Sequence, residues 1–490
     1  MADKGAVAAG AGTSGAVAAG ALASGPGAGV PGAGGASRAA LMDLSAPALR
    51  DRLASGGARA VEVARAVAER TAEREPAIEA WAHFDADFLF ARARGLDRHR
   101  GTGRALGALH GVPVAIKDVI DTADMPTANG SPMDRDRRPN ADAASVLALR
   151  AAGALLAGKS RTAELAFLHP GPTRNPRDRA RTPGGSSSGS AALVAAGVVP
   201  LAVGTQTGGS VLRPASFCGV VGFKPTRGAI PTRGVLVQSP TLDTVGAFAR
   251  DVEGAAMLAD AMHGHDPGGD APPRPHPRLW DAARSEPPVP PVFAFARTPW
   301  WDRASDDMRA GLEELAAALG PRCFEAELPE PFAALPTVRE TINLAEMGKH
   351  LHRYAREGAS QTLRDAVERG RTVLAHDYLA ALDWIGIYRA GLDALLARCD
   401  AVLLPAAPGV APVGLGSTGD SVFNALATLV GAPAVSLPLL EADGPNGPLP
   451  MGVQLIGRVG DDARLIRTAR WLERWATGEA IGTGGTTWAI

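Results

Sequence analysis

Two serines in this chain stand directly after paired glycines. The first lies in "RTPGGSSSGSAALVAAG", from Arg181 to Gly197, where Gly184 and Gly185 precede Ser186. The second lies in "GTQTGGSVLRPASFCG", from Gly204 to Gly219, where Gly208 and Gly209 precede Ser210. A Gly/Ser run by itself reads as a flexible linker. Here apolar, well-patterned sequence flanks both runs, unlike a linker between domains. Consecutive glycines let backbone N–H groups converge in a nest that holds an anion. If that anion is the oxygen of a tetrahedral intermediate, Ser210 is placed like an acyl-transfer nucleophile. A Gly-rich turn with an incidental serine accounts for either run taken alone.

A serine nucleophile needs a base. The chain has ten histidines, none in an obvious motif with a carboxylate, so no Ser-His-Asp triad is legible. Lysine is a known substitute. Lys117 closes the apolar run Val112–Ile116. A lysine there ordinarily snorkels to solvent, whereas base work requires the neutral amine. At an ordinary pKa of ~10.4, only about one lysine in 2,500 is neutral at pH 7. Burial lowers the pKa by roughly 3–5 units, which removes the handicap. Asp118 is adjacent, but on a strand it points to the opposite face and need not hold a charge on Lys117.

A competing motif is Gly153–Ser160, G-A-L-L-A-G-K-S, which matches the phosphate-binding pattern G-x-x-x-x-G-K-[ST]. It is the out-of-class alternative, a nucleotide-binding protein. Its context is only half right. A helix precedes it, and Ala, Leu, Leu, Ala at its centre suit a buried strand better than a loop that presents N–H groups.

The segments "LHGVPVAIKDVIDTADMPTANGS", "TRNPRDRARTPGGSSSGSAALVAAG", "GTQTGGSVLRPASFCGVVGFKPT", "FNALATLVGAPAVSLPLL" and "LPMGVQLIGR" resemble those of the amidase signature enzymes. The resemblance runs from about Leu41 to Trp475. It implies an amidase that converts a small amide to a carboxylate plus ammonia or an amine through a serine acyl-enzyme, with no metal and no organic cofactor. Carried over residue by residue, it implies a Ser–cis-Ser–Lys triad. Ser210 is then the nucleophile, Ser186 the bridging serine after a cis peptide bond, and Lys117 the ultimate base. The backbone N–H groups of Thr207, Gly208, Gly209 and Ser210 make the oxyanion hole, and the other serines of the first run bond the lysine and the loop.

Two positions depart from the commoner pattern of the family. Gln206 stands where that pattern has Asp. Leu212 stands where it has Arg, and Arg213 follows. A charged pair is missing as a unit. This resembles a malonamidase-like branch, in which the shifted arginine suits a substrate carboxylate. The competing reading makes Arg213 structural, bonding nearby carbonyls. The alternative within the family is the A-type component of a glutamyl-tRNA amidotransferase, which passes ammonia to a partner. Its nucleophile segment resembles the commoner pattern.

These residues need a rigid frame. "GVPVAIKDVID" (111–121), "ALLAGKS" (154–160) and "PLAVGT" (200–205) read as buried strands, and "DAASVLALRAAG" and "GSAALVAAGVV" as helices between them. The alternation predicts an α/β fold. The resemblance makes it one large domain with a mixed central β-sheet covered by helices on both faces. Ser45 is a plausible N-cap with Pro47 in the first turn, and "DDARLIRTARWLERW" is a closing amphipathic helix. Residues 264–292 read as a surface excursion and Asp302–Arg398 as mostly helical. Together they make a mostly helical insertion at about 264–398, and its part over 302–398 is the expected source of pocket residues. The domain is expected over 39–490, after a disordered Ala/Gly-rich tail over 1–38.

With 490 residues, 46% of them apolar, the chain can build a sizeable core. Fifty basic residues against 51 acidic leave a net charge of −1, no footprint for nucleic acid or an anionic membrane. No window reaches the roughly 20 apolar residues of a membrane span, and the tail lacks the compact apolar core of a signal peptide. Three scattered cysteines fit neither a disulfide scaffold nor a zinc site. A cytoplasmic enzyme with a small-molecule amide substrate is expected, and a homodimer is the one self-assembly considered.

Overall fold

The structure, a computed structural model, describes residues 38–264 and 275–479. The expected tail lies, but for Arg38, outside the described residues.

Eleven strands form one mixed sheet: β1 (Trp81–His83), β2 (Pro113–Lys117), β3 (Leu155–Ser160), β4 (Leu201–Gln206), β5 (Val221–Lys224), β6 (Thr244–Ala249), β7 (Phe293–Arg297), β8 (Cys323–Glu327), β9 (Ala401–Pro405), β10 (Ala434–Ala442) and β11 (Leu449–Ile456). Their order across the sheet is β1-β3-β2-β4-β6-β5-β10-β11-β9-β7-β8. β2 is parallel to both β3 and β4, and β7 is parallel to both β8 and β9. The strands between these two groups pair antiparallel. Parallel neighbours need a crossover. The helices Ala144–Ala151 and Ser188–Ala195 supply it from β2 to β3 and from β3 to β4. Because helices cover both faces, β2, β3 and β4 are buried at every residue. They therefore read in sequence as continuous apolar runs and not as alternation. The fold is the single α/β domain expected.

Local signals also hold. Ser45 Oγ accepts the N–H of Ala48, with Pro47 in the first turn of the helix Ala46–Ser55. The closing helix spans Asp462–Ala476. Among the described residues, no helix is long and apolar enough to cross a membrane.

Two segments add detail to the sequence reading. The segment 264–398 holds helices, including Asp306–Leu319, Leu335–His350, Gln361–Arg371 and Ala375–Leu396. It also holds β7 and β8, which extend the central sheet. β7 is short and buried, with Phe293, Ala294, Phe295 and Ala296 fully covered. β8 is the edge strand and only partly covered. At Gly153–Ser160 the strand reading holds against the nucleotide-binding alternative. Leu155–Ser160 is β3, a core strand and not a phosphate loop. Its lysine is consumed internally: Lys159 Nζ donates to Ile120 O at 2.7 Å and Thr127 Oγ1 at 2.5 Å, and more weakly to Thr122 and Pro126.

The helices Leu335–His350 and Gln361–Arg371 pack on one another. Leu344, Met347, Leu351, Leu363, Ala366 and Val367 form a small core there, apart from the main one and joined by Leu165.

Candidate active site

Lys117 ends β2 and is fully buried. Its Nζ donates to Ser186 Oγ at 2.8 Å and to Thr205 Oγ1 at 2.7 Å. Both partners are hydroxyls, which can bond the amine without neutralising a charge on it. Burial holds the amine well below its ordinary pKa; the buried Asp243 opposes this and Arg213 adds to it. The lysine does not snorkel. Asp118 points the other way, as strand alternation requires. It accepts from the N–H of Ala128 and stands 3.7 Å from Lys159.

Ser186 follows Gly184 and Gly185, and the Gly185–Ser186 peptide bond is cis. Gly184 has φ of 80°, a region that favours glycine. A Cβ there would stand 2.8 Å from Pro214 Cα. The loop therefore lies against the helix Leu212–Cys218, which follows Ser210. The other serines pin this loop to β4. Ser187 Oγ donates to Thr205 O at 3.1 Å and accepts from Thr205 N at 3.2 Å. Ser190 Oγ donates to Val203 O at 2.9 Å. They hold the loop but do not bond the lysine, contrary to expectation. Thr205 takes that place, a residue the motif reading passed over. Its only sequence signal was a hydroxyl inside an apolar strand.

The turn from Thr207 to Ser210 is held from several sides. Gln206 Oε1 accepts from Val211 N at 2.8 Å and Leu212 N at 3.1 Å, covering amides at the start of the helix Leu212–Cys218. Its Nε2 donates to Thr428 Oγ1, which in turn donates to Gly208 O at 2.6 Å. Thr207 Oγ1 donates to Asp243 Oδ1 at 2.5 Å, and Asp243 Oδ2 accepts from Gln238 N and Ser239 N. Burial raises the Asp243 carboxyl to about 6, against those hydrogen bonds. A Cβ on Gly209 would collide with Asn424, so only glycine fits there. Among the described residues, no acceptor takes the N–H of Gly208, Gly209 or Ser210.

Thr207, Gly208, Gly209, Ser210 and Arg213 line a cavity of about 520 Å³. Ser210 is 8% exposed; Ser186 and Lys117 lie deeper, at 1% and 0%. Ser186 bonds the lysine, but Ser210 makes no hydrogen bond to Ser186 in this structure. Such contacts are often long in unliganded enzymes and tighten with substrate. Opposite the serine stands the helix Leu335–His350, which brings Arg339 and Asn343 to the cavity. Glu346 on this helix accepts from Ser239 Oγ, Thr241 N, Thr241 Oγ1 and Tyr378 OH. That ties the far wall to the loop that holds Asp243.

Arg213 is 2% exposed. Its Nε donates to Thr418 O at 2.7 Å, and its Nη2 to Gly185 O at 2.6 Å and Thr418 Oγ1 at 3.3 Å. It thus bonds carbonyls as the structural reading expected. Nη1 takes no partner among the described residues, and Arg213 also lines the cavity. Burial pulls its pKa down to about 10, which leaves it a cation at neutral pH.

The chain that carries this site has known relatives. The Amidase family model matches residues 62–466, and the chain belongs to that family. It is 33% identical to the A-type component of the glutamyl-tRNA(Gln) amidotransferase of Chloroflexus aurantiacus, over 89% of this chain and 97% of that one. Among solved structures, it resembles the native peptide amidase from Stenotrophomonas maltophilia, with a TM-score of 0.76 and 27% identity over 91% of this chain and 99% of that one. It also resembles a structure described as a vestigial protein complex that reveals the origins of an s-triazine catabolic enzyme. There the TM-score is 0.81 and the identity 29%, over 88% of this chain and 98% of the other. The chain is therefore an enzyme of amide C–N bond hydrolysis.

Proposed function

We propose that this enzyme hydrolyses a carboxamide through an acyl-enzyme on Ser210. The observation that supports it most is the hydrogen bond from Lys117, a buried amine among hydroxyls, to Ser186. Neutral Lys117 accepts a proton through Ser186 as Ser210 Oγ attacks the amide carbon. The free N–H groups of the Thr207–Ser210 turn receive the negative charge that develops on the carbonyl oxygen. As the C–N bond breaks, the relay returns the proton to nitrogen, and ammonia or an amine leaves. Water then attacks the ester, gives its proton to the same relay, and frees the carboxylate and Ser210. In the malonamidase-like form of this reading, Arg213 offers Nη1 to an acidic substrate while its other nitrogens stay anchored.

A second reading draws on the relatives. Curated relatives such as the Chloroflexus aurantiacus protein carry the name of an amidotransferase component, which favours ammonia delivery to a partner over release to water. Both readings share the acyl-enzyme. Copurification of partner chains and ammonia release from glutamine would favour the second reading over a free-standing amidase of other small amides.

The test of the shared chemistry is labelling with a fluorophosphonate serine probe, read by intact mass. Wild type should gain one adduct and Ser210→Ala none. Labelling of Ser210→Ala at the wild-type rate would sink the nucleophile assignment.

A further inference from the structure

The cavity holds a second arginine that no motif announced. Arg339 sits on the helix Leu335–His350, across from the Ser210 turn. A Cβ built on Gly208 would stand 3.3 Å from Arg339 Nη1, so the guanidinium reaches the edge of the reaction centre. Its Nε is buried and has no hydrogen-bond partner. A buried N–H on a cation without an acceptor is costly, unless the missing acceptor arrives with a ligand.

The carboxylates around the cavity do not supply it. Glu340 is bound by Arg369 at 2.8 Å, and Asp420 by Arg303 at 2.6 Å. Asp365 accepts from Gln361 Nε2 at 2.5 Å. All three stand toward solvent; the Glu340 side chain is 49% exposed and that of Asp420 36%. Arg213 beside the Ser210 turn and Arg339 on the facing helix, in contrast, both line the cavity, and neither forms an ion pair among the described residues. The cavity thus has an unpaired cation on each side of it, and its carboxylates at the rim already have partners.

We propose that Arg339 is a specificity-determining residue that binds a carboxylate on the substrate, so that the preferred substrate is an amide with a second, anionic end. This rests on the acyl-enzyme reading above. Arg339 supplies the unpartnered Nε and the Nη2 on the same edge of its guanidinium as a fork to the carboxylate, while its Nη1 faces the Gly208 turn and Arg213 supplies the remaining cationic edge. The geometry adds a second contact from a different element, so Arg213 need not leave its anchoring bonds.

The experiment compares succinamate with butyramide, and glutaramate with valeramide, on wild type, Arg339→Met and Arg339→Lys. Wild type should prefer each acidic amide. Arg339→Met should lower kcat/KM for the acidic amides by roughly 10- to 150-fold, the worth of a hydrogen bond to a charged group. It should leave the neutral amides nearly unchanged. Arg339→Lys, which keeps the charge and loses the fork, should fall between. In parallel, succinate and butyrate are tested for protection of Ser210 against the serine probe. Succinate should protect wild type better than butyrate, and Arg339→Met should erase the difference; this decides the matter even if neither amide pair is turned over. Equal losses on both members of a pair, or equal protection of wild type by succinate and butyrate, overturns the proposal. A wild type that fails to label at Ser210 defeats the acyl-enzyme reading instead. A melting temperature and labelling rate of Arg339→Met close to wild type show that the variant is folded.

Discussion

Lys117 and Lys159 lie on adjacent parallel strands, with Ile116 opposite Lys159 and Lys117 opposite Ser160. Both are fully buried, yet their surroundings differ in kind. Lys159 points its amine at two carbonyls, two hydroxyls and, at 3.7 Å, the Asp118 carboxylate. Burial pulls it down to about 8 while Asp118 supports the charge, so it stays mostly cationic at neutral pH. Lys117 hydrogen-bonds only the hydroxyls of Ser186 and Thr205, and burial holds its pKa well below the ordinary value. Depth is the same in the two niches. What separates a structural cation from a candidate base is the kind of oxygen around it. The strand's two-residue alternation delivers Asp118 to one niche and keeps it out of the other.

The contrast can be broken most sharply at Lys117. Lys117→Met should cost roughly 10²- to 10⁴-fold in kcat/KM, the scale of a lost general base. The melting temperature should stay near that of wild type, since an apolar chain suits the niche. Because only the neutral amine accepts a proton, wild-type kcat/KM should rise with pH through the depressed pKa of Lys117, and the variant should lose that acid limb. Full activity with an unchanged profile would reduce Lys117 to a strand-end lysine. Lys159→Met should show the reverse pattern. It leaves Asp118 buried without its cation, at a cost of about 3–5 kcal/mol in denaturant unfolding, with kcat per folded molecule close to wild type. Adding Asp118→Asn should recover part of that loss; no recovery would mean that the pair does not act as a pair. The smallest effect is expected from Thr205→Val. Loss of one neutral hydrogen bond is worth about 0.5–1.5 kcal/mol, and activity should fall by the corresponding few-fold. Without that acceptor the ammonium is less well held, so the acid limb should move to lower pH. A shift to higher pH would contradict the bonding seen at Lys117.

Sequence carried the site unevenly. Lys117, Ser186 and Ser210 stood out as candidates because each breaks a local rule: a lysine closing an apolar run, and serines after glycine pairs that a linker does not explain. The strands next to them were legible for the opposite reason, since burial on both faces leaves an unbroken apolar signature. β7 and β8 were hidden because "FAFAR" and "CFEAE" are short and sit among helical and proline-rich segments. Thr205, Asp243 and Arg339 broke no rule. A threonine in a strand, an aspartate before a strand and an arginine on an amphipathic helix are ordinary locally. Their roles arise only from contacts made across long sequence separations, such as Thr207 to Asp243 and Glu346 to Ser239.

The far wall of the cavity straddles two cores: Leu344 and Met347 of its helix pack in the small one, and Leu335 and Ile342 in the main one. An exchange of this wall must therefore carry two sets of contacts. A related wall that kept Leu335 and Ile342 would bring a new pocket lining while leaving the candidate triad in place. The joint that such a chimera must preserve is Glu346, since its bonds to Ser239 and Thr241 set the height of the wall above the loop of Asp243. A graft that keeps this carboxylate would inherit the alignment. One that lacks it would place a new pocket out of register with an otherwise intact catalyst.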